Sequence, residues 1–202
     1  MKLSTRIFSA ILFFAIGIII IICAPAEQTL GQWVKLVYFH GALIWSTILV
    51  FSLSGILGII FLVTNKLFIF NWAKKSELIA VILLAINLAL SSVTMKIIWN
   101  AVLFTEPRFK YNVLILLFSS LILSFTYLID VDKLSAVMYS IIAGLYWSMI
   151  ILVGRAFHPA SAISSSSNLT IKLSFFLSAL FFFTAIVLLT LPLPTSGNKL
   201  WQ

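Results

Sequence analysis

The chain has 202 residues, of which 62% are hydrophobic and 9% are charged, and its formal net charge is +8. Soluble domains are about half apolar and about a quarter charged, so this composition excludes a soluble globular protein and indicates a polytopic membrane protein. The basic residues lie in short segments between apolar runs, which favours membrane anchoring over nucleic-acid binding. The lone cysteine, Cys23, excludes an intrachain disulfide, and we interpret it as a packing residue.

Six apolar runs are long enough to cross a bilayer, which takes about 20 helical residues. In chain order they cover residues 7–23, 37–63, 78–98, 113–129, 134–154 and 171–191. Because the connecting segments are short, the sequence predicts an all-α fold, a six-transmembrane-helix bundle that forms a single domain over residues 1–202. The first run follows Lys2 and Arg6, as a signal peptide might, but we interpret it as a retained span because its removal would leave an odd number of spans.

The two histidines of the chain fall on the same side of the predicted membrane. His40 lies at the end of loop one, just inside the second span, and His158 lies in loop five, just past the fifth span. Loops one, three and five of a six-span protein share one membrane face, so span counting alone places both imidazoles there. We name this side the histidine face, and the side that holds both termini the termini face.

The positive-inside rule predicts the orientation only when the basic residues of loop three are left out of the count. The termini face holds seven basic residues: Lys2, Arg6, Lys66, Lys74, Lys75, Lys133 and Lys199. The histidine face holds six: Lys35, Lys96, Arg108, Lys110, Arg155 and Lys172. Setting aside loop three and Lys96 beside it, which together account for three of those six, leaves seven against three and predicts cytoplasmic termini.

Two histidines at one membrane face suit a metal site, a proton relay or the axial ligation of haem. A zinc or copper site needs further ligands, for which loop one offers Glu27 and loop three offers Glu106. A proton relay needs ionisable groups inside the spans, which are nearly empty of them; Lys96, near a span end, comes closest. Haem needs axial ligands, an apolar aromatic slot and cations for its propionates.

The residues near both histidines offer what haem needs, but each also has a plainer role. Aromatic candidates are Trp33, Tyr38, Phe39, Trp45, Tyr146, Trp147 and Phe157, and candidate propionate partners are Arg108, Lys110 and Arg155. Tryptophan and tyrosine collect at bilayer interfaces without any ligand, basic loop residues bind lipid headgroups, and an interfacial histidine is often structural. Composition and spacing therefore do not decide between a haem site and these structural or lipid-binding roles.

The stretch "APAEQTLGQWVKLVYFHGALIWS" (residues 24–46) resembles the first outer loop and second helix of the CcmC branch of the cytochrome c assembly proteins. That family reads roughly "APA", a polar stretch, a basic residue, aliphatic and aromatic residues, and "H-V-P-A-A-x-W". Lys35, His40 and Trp45 take the matching places here. A later family histidine lies in the last outer loop, where "GRAFHPAS" (residues 154–161) holds His158, and the six-span layout also agrees.

The resemblance implies a haem-binding protein of cytochrome c biogenesis, not an enzyme, in the inner (cytoplasmic) membrane of a prokaryote. It would hold haem b at the outer membrane face for delivery toward apocytochrome c. His40 and His158 would be the axial ligands of the haem iron, facing one another across a cleft. The implied partners are haem, membrane lipid, a haem chaperone and ABC-type subunits, with no nucleic acid.

Loop three departs from the family, which has a tryptophan-rich segment from "W-G" to "W-D-x-R-L". This chain reads "WNAVLFTEPRF" (residues 99–109), so Trp99 stands for the first tryptophan and Glu106 and Arg108 for the final acid and arginine. The intervening tryptophans give way to Ala101, Val102, Leu103 and Phe104, and the "V-P" after the first histidine gives way to Gly41 and Ala42. We expect Arg108 to bind a haem propionate, and Glu106 to orient Arg108 or a partner.

Two rival functions remain at this point. One is a small membrane subunit of a transporter or respiratory complex, in which the histidines are structural. The other is a metal permease, which the lack of intramembrane carboxylates disfavours. Enzymatic activity is not expected, because the sequence has no nucleophile motif with a base, no phosphate loop and no HExxH.

Overall fold

The computed structural model describes residues 3–27, 30–129, 131–153, 163 and 167–192. These ranges form six helices and contain no β-strand: α1 (Leu3–Cys23), α2 (Val34–Thr64), α3 (Leu67–Trp99), α4 (Pro107–Ile129), α5 (Asp132–Leu152) and α6 (Leu169–Thr190). All six are long and apolar enough to cross a membrane. The predicted all-α six-helix bundle is confirmed, and the protein is a multi-pass membrane protein.

The connection between α2 and α3 is much shorter than the sequence predicts. A loop was expected over residues 64–77, but only Asn65 and Lys66 separate the two helices. Asn65 has a left-handed φ of 53°, and its backbone N–H donates to the carbonyl oxygen of Phe61 at 2.7 Å, which closes α2. The charged residues that follow lower the local hydropathy without interrupting the helix, so Glu77 belongs to α3.

Helix α2 is the centre of the bundle and packs against α3, α5 and α6, while α1 packs mainly on α6 and α4 packs on α3 and α5. Small residues allow the close approach of α2 and α5. A Cβ atom on Gly58 would lie 2.7 Å from the carbonyl oxygen of Ala136, and one on Gly55 would lie 2.7 Å from the Cβ of Ala143. Close backbone contact of this kind is typical of packing between membrane helices.

Arg6 joins the first and last helices at the termini face. Its side chain is 3% exposed, and its guanidinium donates to the carbonyl oxygens of Leu188 at 3.0 and 3.2 Å, of Pro192 at 3.1 Å, and of Leu191. The last carbonyl groups of a helix have no partner within it and carry partial negative charge, so a cation stabilises them. Arg6 therefore stabilises the packing of α1 on α6, in addition to adding a positive charge to the termini face.

Candidate functional site

The histidine face is formed where α2 begins, α3 ends and α4 begins. This geometry brings three predicted site residues to one end of the bundle. His40 lies in the second turn of α2, Trp99 is the last residue of α3, and Arg108 is the second residue of α4. His158 lies outside the described residues.

The imidazole of His40 is held within the bundle rather than standing free in solvent. The side chain is half-buried, and its Nδ1 atom is shielded from solvent. The next residue, Gly41, provides room for the neighbouring helix, because a Cβ atom there would lie 2.9 Å from Cε2 of Phe175 in α6. The close approach of α6 gives a physical reason for glycine where the CcmC pattern has valine.

Helix α5 ends at the same end of the bundle as His40 of α2. The two helices run antiparallel, and Trp147 of α5 contacts both Ser52 and Trp45 of α2: its Nε1 donates to Ser52 Oγ at 2.8 Å, and its ring centroid is 6.3 Å from that of Trp45. The last residue of α5 and His40 both lie beyond these contacts, toward the histidine face. Loop five, which carries His158 in the sequence, therefore starts from this end of the bundle.

Trp45 does not share the side of α2 that carries His40. Five residues of helix turn a side chain by about 140°. The Trp45 side chain is 39% exposed and packs beside Trp147, further along α2 from the histidine face than the imidazole. A contact between Trp45 and haem stays a prediction.

Loop three is a compact connection with a helix cap. Asn100 ends α3 with a left-handed φ of 57°. The Glu106 side chain is 3% exposed, and its Oε2 accepts a hydrogen bond from the backbone N–H of Phe109 at 2.7 Å, which caps the first turn of α4. The sequence suggested that Glu106 orients Arg108 or a partner, whereas the described contact is with the helix backbone. Arg108 itself is exposed on that first turn.

Exposed aromatic side chains remain at the histidine face although the tryptophan-rich segment is absent. Phe104 in loop three is 66% exposed, and its ring packs edge-to-face on Phe109 with centroids 5.7 Å apart. Trp33, just before α2, is 60% exposed. Exposed aromatic rings are thus present both beside the start of α2 and in loop three.

An apolar cleft of about 420 Å³ opens beside the start of α2. Its walls come from aliphatic residues of α1, from Trp33, Leu36 and Phe39, and from Ile97 of α3. Lys35 also lines the cleft and donates to the carbonyl oxygen of Ile22 at 2.6 Å. Phe39, the residue preceding His40, therefore borders this apolar cleft.

The sequence interpretation missed a buried carboxyl group inside the bundle. Glu77 of α3 is 0% exposed, so the expectation of no intramembrane carboxylate is wrong. The missed signal was helical spacing: Phe70, Ala73, Ala80 and Leu84, all buried, recur at intervals of three, four and seven residues around Glu77. Another miss is Cys23, which was expected to pack and is exposed at the end of α1.

Within the described ranges, no cluster of three or more histidine, cysteine, aspartate or glutamate side chains could hold a metal ion. No protein-family model matches the chain, and no curated protein is similar enough to count as a match. The candidate site is accordingly defined by the placement of His40, Trp99 and Arg108 at one end of the bundle.

Proposed function

We propose that the protein binds haem b at the histidine face, with His40 and His158 as axial ligands, and that it serves cytochrome c biogenesis. The observation that carries the proposal is the position of the half-buried His40 imidazole at the end of the bundle where α5 also ends. His158 follows α5 in the sequence and lies outside the described residues. The family resemblance supplies the direction of delivery, toward apocytochrome c.

The described residues at the histidine face include the types of side chain that a haem group needs. Haem iron accepts imidazole nitrogens at its two axial positions, and its propionates need cations. The His40 imidazole would ligate the iron, and the exposed rings of Trp33 and Phe104 would cover apolar surface of the macrocycle. The exposed Arg108 and Lys110 would hold the propionates. These residues bind and orient the group and exclude water, and none is assigned a catalytic step.

The proposed setting is the inner membrane of a prokaryote, with both termini in the cytoplasm and haem held at the outer face. A haem chaperone and ABC-type subunits are the proposed protein partners, alongside membrane lipid. No nucleic acid takes part. This setting follows from the family resemblance and from the seven-against-three distribution of basic residues once loop three is set aside.

Substitution of the two histidines tests the proposal. We expect His40→Ala to abolish the low-spin haem absorption of the purified protein, and His158→Ala to weaken it or convert it to a one-ligand spectrum, because two strong axial bonds need two imidazoles. Lys133→Ala, which changes an exposed residue at the termini face, is the matched control and should leave the spectrum intact. Unchanged spectra in both histidine variants would place the ligands elsewhere.

The second candidate is a small subunit of a transporter or respiratory complex with structural histidines. The buried Glu77 favours this alternative, since ionisable groups inside membrane bundles commonly mark transport or proton pathways. Glu77 also removes the sequence-based objection to a metal permease. Purified protein without a bis-histidine spectrum would favour these alternatives over haem binding.

A further inference from the structure

We propose that Glu77 is a proton-binding site within the membrane bundle, reached from a cleft between α4 and α5 through Tyr139 and Thr126. The site lies in the half of the bundle nearer the termini face, away from His40. It is independent of haem binding, and the readouts that test it involve no haem.

The Glu77 carboxyl group lies in the protein interior without a hydrogen-bonding partner among the described residues. It is 0% exposed, and neither Oε1 nor Oε2 has such a partner. The polar side chain beside it is Ser54 of α2. The single hydroxyl proton of Ser54 is donated to the carbonyl oxygen of Ala73 at 2.9 Å, so it is not donated to the Glu77 carboxyl group.

The neighbouring cations are engaged elsewhere. Lys74 Nζ lies 4.0 Å from the centre of the Tyr127 ring, and Lys75 Nζ donates to the carbonyl oxygen of Leu191 at 3.2 Å. Arg6 is occupied by the carbonyl groups at the end of α6. Helix α2 carries no ionisable residue after His40, and the only one in α6, Lys172, lies near its opposite end.

The ionisable groups on α4 and α5 at this end of the bundle provide no positive charge to the carboxyl group. They are Tyr127 on α4 and Asp132, Lys133 and Tyr139 on α5, of which Lys133 is exposed. An ionised Glu77 would be a buried negative charge without a cation, which is strongly unfavourable inside a membrane protein. Binding a proton removes that charge.

A pair of hydrogen-bonded hydroxyl groups lies between the neighbourhood of Glu77 and the surface of the bundle. Tyr139 is fully buried and close enough to Glu77 to interact with it electrostatically. Its hydroxyl donates to Thr126 Oγ1 at 3.1 Å. Thr126 lines a cleft of about 260 Å³ formed by the end of α4 and the start of α5, together with Ser135. The phenol and the threonine hydroxyl can each accept and donate a hydrogen bond, as proton exchange requires.

A proton fits this site better than a sodium or potassium ion. A metal cation needs several oxygen ligands around it, whereas among the described residues the hydroxyl directly beside the carboxyl group is that of Ser54. A proton needs only the carboxyl group itself.

Infrared spectroscopy of the full chain in lipid nanodiscs tests the proton site directly. At neutral pH we expect the C=O stretching band of a protonated carboxylic acid, a shift of that band to lower frequency in D2O, and its loss in Glu77→Gln. Glu27→Gln and Glu106→Gln are matched controls that should keep the band. A wild-type spectrum without the band, or a Glu77→Gln spectrum that retains it in full, would overturn the proposal. Dependence of thermal stability on sodium or potassium would then identify a metal cation.

The route is tested by the rate at which the band shifts after transfer to D2O. Tyr139→Phe keeps the aromatic ring and removes the hydroxyl that bonds to Thr126, so we expect a several-fold slower shift. Tyr127→Phe is the control, because Tyr127 is 57% exposed and its ring faces Lys74. An unaltered exchange rate in Tyr139→Phe would overturn the route through this residue.

Discussion

Arg108 stands exposed on the first turn of α4, next to the cap that Glu106 makes for that helix. A guanidinium can bind a carboxylate with two parallel hydrogen bonds, whereas an ammonium group is a point charge. The position is equally open to lipid phosphates, which a guanidinium also binds with two hydrogen bonds, so the haem content of Arg108 variants distinguishes the two ligands.

We predict that Arg108→Ala lowers haem occupancy and that Arg108→Lys recovers only part of it, because lysine keeps the charge and loses the two-pronged geometry. Near the low-dielectric interface the loss should exceed the about 0–1 kcal/mol of an exposed ion pair. Haem content per chain and the haem midpoint potential measure the effect. If both quantities are unaltered in both variants, the propionate role is wrong and Arg108 belongs to the membrane surface.

Residue-level prediction from sequence succeeded where a position is set by chain order and failed where it is set by packing. Counting spans places His40 and Arg108 at one end of the bundle, because each lies next to a span boundary. The burial of Glu77 depends on contacts with other helices, which a hydropathy window does not contain. Gly41 likewise has its explanation in Phe175, 134 positions along the chain.

At the scale of elements, the number of helices was predictable and their ends were not. Each of the six spans has an apolar core of sufficient length, so counting them is secure. Helix α3 nevertheless begins at Leu67, well before its apolar stretch, because backbone hydrogen bonds continue through charged residues. The partners of each helix are set by small residues such as Gly55 and Gly58, whose importance appears only in contact with α5.

We predict that Gly58→Ala destabilises the protein, because the added Cβ atom would meet a backbone oxygen of α5 that cannot rotate away. Overpacking of this kind costs about 1–3 kcal/mol. Gly144→Ala on α5 is the matched control: no atom lies within 4 Å of its added Cβ, so stability should hold or rise. Thermal unfolding in detergent compares the two, and a Gly58→Ala midpoint equal to that of Gly144→Ala would contradict the close approach of α2 and α5.

At the scale of the whole molecule, the described helices all contribute to one bundle, and its two ends differ in chemistry. The termini face joins α1 to α6 through Arg6, while the histidine face carries His40 and Arg108. Cys23, exposed at the end of α1, lies on the histidine face and offers a chemical reporter of orientation.

We predict that a membrane-impermeant maleimide labels Cys23 in intact cells, because the histidine face should point away from the cytoplasm. The control is the double variant Cys23→Ser, Lys133→Cys, which moves the thiol to the opposite face and should be labelled only after lysis. Labelling of the control variant but not of the wild type in intact cells would show that the histidine face points toward the cytoplasm.

The most direct measurement is the absorption spectrum of the purified wild-type protein, recorded oxidised and reduced. Haem binding between His40 and His158 predicts a low-spin, bis-histidine spectrum in both states, with close to one haem per chain. Protein that is folded and pure but carries no haem, or whose haem is high-spin in both states, would contradict the proposed function.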